Sequence, residues 1–250
     1  MGKTAQILLV RRWWQALLLI PVLVTASAAG KKDAGYVDTR DYRAFWLWSG
    51  VWSQPVLKQA DTLYLHQAEV VTGRQGARFL KLGQPLAKLQ APALWITVRV
   101  TTLDIPDEVL AAVLRLPARW TAAGNRVVGL QIDFDAATYQ LDKYAAFLSH
   151  LRSQLPAEFA LGVTGLLDWA KTGNVSQLNG LPIDELVIQT YQGKQTVTQY
   201  EHYLPALLKL RVPFKIGLVQ QGVWNTQWQQ RLATSPYYRG EVVFLVNAAR

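Results

Sequence analysis

Residues 127–138 read VVGLQIDFDAAT. Leu130, Ile132 and Phe134 recur at every second position, the period of a β-strand with one buried face. A strand covered on both sides is apolar on both faces. Here the second face carries Gly129, Gln131, Asp133 and Asp135 instead. A carboxylate inside a packed interior is costly unless it is paired or hydrogen-bonded. One architecture reconciles the two faces. In a barrel the outward side chains meet helices, while inward ones at the C-terminal strand ends face an open mouth.

The rest of the chain repeats the same unit. Seven further short runs are rich in β-branched and aromatic residues: 43–48, 62–67, 94–100, 159–165, 185–191, 214–220 and 242–247. The segments between them carry helix signals. Residues 106–124 open on Pro and acids and close on Gly, and 137–155 place Leu141, Tyr144, Leu148 and Leu151 on one face. Residues 196–210 predict a third helix, bent or broken at Pro205. Eight strands alternating with helices predict an α/β fold, a (β/α)8 TIM-like barrel of eight parallel strands with its last helix missing or replaced. An open doubly wound sheet is the alternative. No glycine-rich phosphate fingerprint follows any strand, which argues against its nucleotide-binding forms.

Taking the more apolar register of each strand as outward assigns the lining. In the first strand the choice is ambiguous, with Trp46 and Trp48 as inward candidates; inward in the others are Tyr64 and His66, Thr97 and Arg99, Gln131 with the two Asp, Thr164, Gln189 and Tyr191, and finally Leu245 and Asn247. An Arg, two Asp, a His and amides therefore converge where barrels of this kind carry their sites.

The N-terminus predicts export. Lys3, Arg11 and Arg12 precede the apolar run 13–24, and Ala26 and Ala28 follow at signal-peptidase spacing. The run is short for a spanning helix, which needs about 20 residues. Residues 1–28 are expected to be a signal peptide cleaved after Ala28, 29–42 a linker and 43–250 the barrel, in a periplasmic or secreted protein. An uncleaved anchor is the alternative, and the membrane would then be met only through this segment. Cleavage removes three of the 26 basic residues and none of the 17 acidic ones, leaving about +6. The charges are scattered, with no basic stripe, so nucleic acid is not an expected partner. The chain has no Cys, and its three His are far apart. Thiol chemistry, disulfides and zinc are excluded on that ground, and no cofactor is expected.

The motif 128–135 resembles the fourth-strand signature of family 18 glycoside hydrolases, the chitinase class, written D-G-x-D-x-D-x-E. Gly129, Asp133 and Phe134 match, Asp135 stands for the terminal Glu, and Val128 and Gln131 replace two Asp. QTYQG (189–193) is similar to that class's sixth-strand motif, with Tyr191 matching and Gln192 in place of Asp. Across the mature chain, YRAFWLW, LYLHQAEV, GLQIDFDAAT and VIQTYQG more closely resemble an uncharacterised exported bacterial family, domain of unknown function 3142. That likeness implies a TIM-like barrel related to glycosidases and no known reaction. The chitinase-class resemblance implies Asp135 as general acid, with Asp133 and Tyr191 orienting the substrate.

Glycoside cleavage needs a proton donor and a group that stabilises positive charge. Asp133 beside Asp135 would raise its pKa, and Arg99 could hold Asp133 ionised. A second acid for a two-carboxylate mechanism would be Glu69 or Asp168. Trp48, Trp52, Trp169 and Trp224 follow strand ends and include sugar-stacking candidates. Gln189, Gln220, Gln221, Asn247, His66 and Gln131 complete the polar set. Asp61, Asp184 and Glu241 precede their strands and belong to the stability of the opposite face. The expected partner is a carbohydrate, an oligo- or polysaccharide. The readings are an exported glycoside hydrolase acting on an envelope glycan or, alternatively, a non-catalytic glycan-binding barrel that assists cell-surface polysaccharide assembly. A membrane-anchored scaffold requires the uncleaved N-terminus.

Overall fold

The computed structural model describes residues 34–74, 76–134, 140–171 and 175–247. All of them fall in the compact unit Lys32–Arg250. The expected signal peptide, its cleavage site after Ala28, the start of the linker and Asp135 lie outside the described residues.

Eight parallel strands form the barrel: β1 Ala44–Leu47, β2 Thr62–Gly73, β3 Ala93–Val100, β4 Val127–Asp133, β5 Ala160–Leu166, β6 Glu185–Gln189, β7 Phe214–Val219 and β8 Tyr238–Phe244. Each pairs with the next in chain order, and β8 returns to β1 through Val243 opposite Phe45 and Phe244 opposite Trp46. That last pairing closes the barrel and rules out the open sheet.

The strand alternation splits the core into two shells. Leu63, Leu65, Ile96, Val98, Leu130, Ile132, Leu161, Val163, Leu186 and Ile188 face outward into the larger cluster, with the helices. Trp46, Tyr64, Trp95, Val187, Val242 and Phe244 fill the interior. Large rings fit inside because glycines make room for them. A Cβ on Gly162 would lie 2.9 Å from the Trp95 ring, and one on Gly217 would lie 2.9 Å from the Phe244 ring.

The helical wall is uneven. Its two long helices are α1 Asp107–Ala122 and α2 Leu141–Gln154, following β3 and β4. They bury Leu110, Val113 and Trp120, and Tyr144, Leu148 and Leu151, at helical spacing. After β1 there is only the 3-10 helix Pro55–Gln59. After β2 the chain turns into an antiparallel strand, Gly76–Lys81. The helix predicted over 196–210 is broken into Tyr200–His202 and Leu204–Leu207, with Pro205 in the first turn of the second piece. Proline lacks an N–H, so it starts a helix readily but interrupts one.

Two features depart from the sequence reading. The eighth strand has the opposite register: Val242 and Phe244 point inward, and Leu245 packs in the outer cluster. Residues 34–42, assigned to a linker, lie on the barrel. Gly35–Tyr36 pairs with Val223–Trp224, and Val37 is buried. Among the described residues no helix is long and apolar enough to cross a membrane.

Candidate functional site at the barrel mouth

The C-terminal ends of the strands enclose a cavity of about 770 Å³. Trp48, Arg99, Asp133, Asp168, Gln189 and Tyr191 line it, together with Leu166, Leu167, Gln192, Gly193, Lys194, Val197 and Val246. Its size lies within the range of small-molecule sites, roughly 300–1,000 Å³.

A β-bulge builds one wall. Pairing of β2 with β3 shifts register between His66 and Ala68. The extra residue, Gln67, is buried and turns its amide back to the His66 carbonyl. Beyond it Ala68 and Val70 face outward, so Glu69 falls in register with Arg99, and Arg99 with Asp133. A row of alternating charge thus crosses three neighbouring strands.

Asp133 ends β4 with its side chain only 4% exposed. Thr164 Oγ1 donates to its Oδ1 at 2.5 Å, and Arg99 Nε lies 3.9 Å from its Oδ2. One oxygen thus accepts from a hydroxyl and the other faces a guanidinium. Asp133 can orient a ligand and accept from it.

The floor is aromatic. Trp48 stands 4.2 Å from Trp46 between ring centres, Trp46 stacks on Phe244 at 5.1 Å, and Phe244 meets Tyr191 at 4.9 Å. This chain fixes the two rings that reach the cavity, Trp48 and Tyr191. Beneath it Gln131 is fully buried and accepts from Trp46 Nε1 at 2.7 Å. Gln131 thus supports the floor and does not line the cavity.

His66 is buried beside this stack. Its Nδ1 accepts from the Ser49 backbone N–H at 3.4 Å and lies 3.2 Å from Ser49 Oγ. Burial pulls its pKa down to about 4, with the nearby Arg99 charge adding to the shift and a hydrogen bond to the Ala68 backbone opposing it. The imidazole is neutral near pH 7.

The remaining expected residues separate. Asp168 lies on the cavity wall, whereas Glu69 is half-buried beside Arg99 and outside the lining. Trp224 is 1% exposed and stacks on Tyr200, and Trp169 is buried against Tyr144, so neither offers a face to a ligand. Gln221 sits at φ 63° in an exposed turn away from the cavity. Asn247 follows the reversed register of β8 and clamps a loop, accepting from Trp52 N–H and donating to the Gly50 carbonyl. Val246, its neighbour, reaches the cavity instead. The sequence reading missed the hairpin over the mouth, Tyr191–Gln192 paired with Gln195–Thr196, which brings Gly193 and Lys194 to the rim. Its signal was present: a two-residue Gly-Lys loop, with Gly193 at φ 61°, is hairpin chemistry.

Among the described residues no group of His, Asp or Glu is placed to hold a metal ion. The wall pairs two cations, Arg99 and Lys194, with two carboxylates, Asp133 and Asp168. Such a wall, with two fixed rings, is equipped to bind a polar, many-hydroxyl ligand in one orientation.

A family model described as a domain of unknown function, DUF3142, matches residues 93–232. These span β3 through the Thr226–Leu232 helix and include the Arg99–Asp133 row, Asp168 and Tyr191. No curated protein matches by sequence. Solved structures share the fold. A xylanase–α-amylase inhibitor protein in complex with trehalose is similar at TM-score 0.55 and 11% identity, covering 81% of this chain and 93% of its own. A xylanase and α-amylase inhibitor protein from Scadoxus multiflorus is similar at 0.53 and 14%, covering 80% and 92%.

Proposed function

The chain belongs to the DUF3142 family, and from that premise we propose that its barrel is a carbohydrate-binding module of the cell envelope that takes a glycan into the mouth. The mouth cavity carries the reading: two rings held by an aromatic stack share about 770 Å³ with Arg99, Asp133, Asp168 and Gln189. A pyranose presents an apolar face and a rim of hydroxyls, and it asks for this combination of aromatic platform and fixed polar groups. The capture of trehalose by an inhibitor protein of the same fold supports the choice of ligand. The signal-like pattern of residues 1–28 supports the envelope part of this reading.

Hydrolysis is the second reading. It is favoured by Asp133, held at the end of β4 between Thr164 and Arg99, with Asp135 two residues on in the sequence. In that role Asp135 gives its proton to the glycosidic oxygen while Asp133 and Tyr191 orient the sugar. Asp has one methylene less than Glu, and a misplacement near 1 Å costs about a hundredfold in rate. Binding without turnover is therefore the leading reading.

Wild-type protein and Asp135→Asn are incubated with cell-wall and capsular glycans, and both retention and reducing ends are measured. Retention by both with no release is the expected result. Release by wild type alone would establish the hydrolase. Retention by neither would sink the carbohydrate reading.

A further inference from the structure

Four tryptophans follow strand ends, and the fold gives them different fates. Trp169 and Trp224 are core, and Trp48 lines the cavity. Trp52 is 71% exposed. The loop that carries it is ordered. The Trp52 backbone N–H donates to Asn247 Oδ1 at 2.9 Å, and Asn247 Nδ2 returns to the Gly50 carbonyl at 2.9 Å. Two residues on, Gln54 Nε2 donates to the Val246 carbonyl at 3.0 Å and to Gln220 Oε1 at 3.1 Å. The Val246 N–H donates to that same Gln220 oxygen. The loop is therefore stitched on both sides of Trp52 to segment 246–247, whose Val246 is part of the cavity wall.

We infer that Trp52 is an outer sugar-stacking platform, and that the ligand of the mouth is an extended polysaccharide chain rather than a mono- or disaccharide. The inference rests on the carbohydrate reading of the cavity. Trp48, inside the cavity, and Trp52, outside it, are four residues apart, a span of at most about 14 Å along the chain. A short run of linked sugar rings leaving the cavity over Val246 covers that distance. The surroundings of Trp52 favour a sugar over a protein face. Ser49, Gly50 and Ser53 are exposed and Gln54 half-exposed, so hydroxyl and amide groups flank the ring on both sides in the chain, with half-buried Val51 and exposed Pro55 as the nearby apolar residues. A protein interface would need a contiguous apolar centre. A loop whose backbone is already held has less ordering left to do on binding, which is where a weak stacking contact gains its effect.

The test uses the full chain and glycan ladders graded from disaccharide to octasaccharide, with affinity read by calorimetry for wild type, Trp52→Ala and Trp52→Tyr. Wild-type affinity is expected to rise with chain length. Trp52→Ala should match wild type on the disaccharide and fall about fivefold to tenfold behind on the longer members, with Trp52→Tyr recovering most of the loss. Equal chain-length profiles for wild type and Trp52→Ala would overturn the platform and leave the cavity reading intact, turning attention to a protein partner for the exposed ring. Failure of wild type to bind any member would overturn the cavity reading and this inference with it.

Discussion

Asp133 and His66 are both buried ionisable groups of the barrel, and they meet burial in different ways. Asp133 is partnered: Thr164 donates to one oxygen and Arg99 faces the other. His66 stays neutral because burial dominates, with its pKa near 4 against an ordinary 6.5. Between those values the unfolded chain takes up a proton that the folded chain refuses. The stability held by a neutral His66 is therefore complete above about pH 6.5 and is lost progressively as the pH falls toward 4. Replacing the imidazole by an amide that cannot titrate removes this component. His66→Gln is expected to flatten the pH dependence of unfolding free energy by about 2 kcal/mol between neutral pH and pH 4. The effect falls short of the full linkage value because Ser49, the ring's partner, is open to solvent. Urea titrations of both proteins at several pH values measure it, and parallel curves would show that His66 titrates normally.

The elements show which parts of this molecule a sequence reveals. All eight barrel strands are legible as apolar, β-branched runs, because a strand between a helix layer and a filled lumen needs such residues on both faces. That same property hides the register of β8. Val242 and Phe244 compete with Val243 and Leu245, and nothing polar breaks the tie, so the sequence points to Asn247 where the structure has Val246. In β4 the tie is broken by Gln131 and Asp133, and the inward face is readable. The bulge at Gln67 leaves no mark in the sequence, since it depends on how β2 meets β3. The tryptophans defeat sequence reading for another reason: position past a strand end is shared by the buried Trp169 and the exposed Trp52. Gly129 is readable only in retrospect. Its missing Cβ lets β4 approach β5, where a methyl group would meet backbone at 2.0 Å. Gly129→Ala must separate the two strands, and is expected to destabilise the protein by at least about 2 kcal/mol. A denaturation midpoint within error of wild type would mean that β4 and β5 can part freely.

At the scale of the whole molecule, the two ends of the barrel divide the work. The mouth holds the exposed and half-exposed polar groups of the cavity. The opposite end is closed from within, where Tyr64 donates to Glu185 Oε1 at 2.5 Å, and Lys215 Nζ lies 3.3 Å from Glu185 Oε2 and 2.9 Å from the Tyr64 hydroxyl. Burial and the Glu185 charge hold the Tyr64 phenol well above its ordinary pKa, so it remains a donor. Glu185 opens β6 and Lys215 is the second residue of β7, which puts this network at the N-terminal end, across a lumen filled by Trp46, Trp95 and Phe244. Breaking a buried pair by removing one partner leaves the other charge uncompensated and costs about 3 kcal/mol or more. Lys215→Met should therefore lower stability by about that amount. Glycan affinity should be unchanged, because no atom of the network borders the mouth cavity. Arg99→Ala at the mouth should do the reverse: weaken binding while costing less stability, since Arg99 is 42% exposed. With no shared partners, the two effects on stability should add within about 0.5 kcal/mol in the double variant. Denaturant unfolding and calorimetric titration of the four proteins complete the cycle. A coupling above about 1 kcal/mol, or a loss of affinity in Lys215→Met alone, would mean that the filled lumen transmits strain from floor to mouth and that the two ends are not independent.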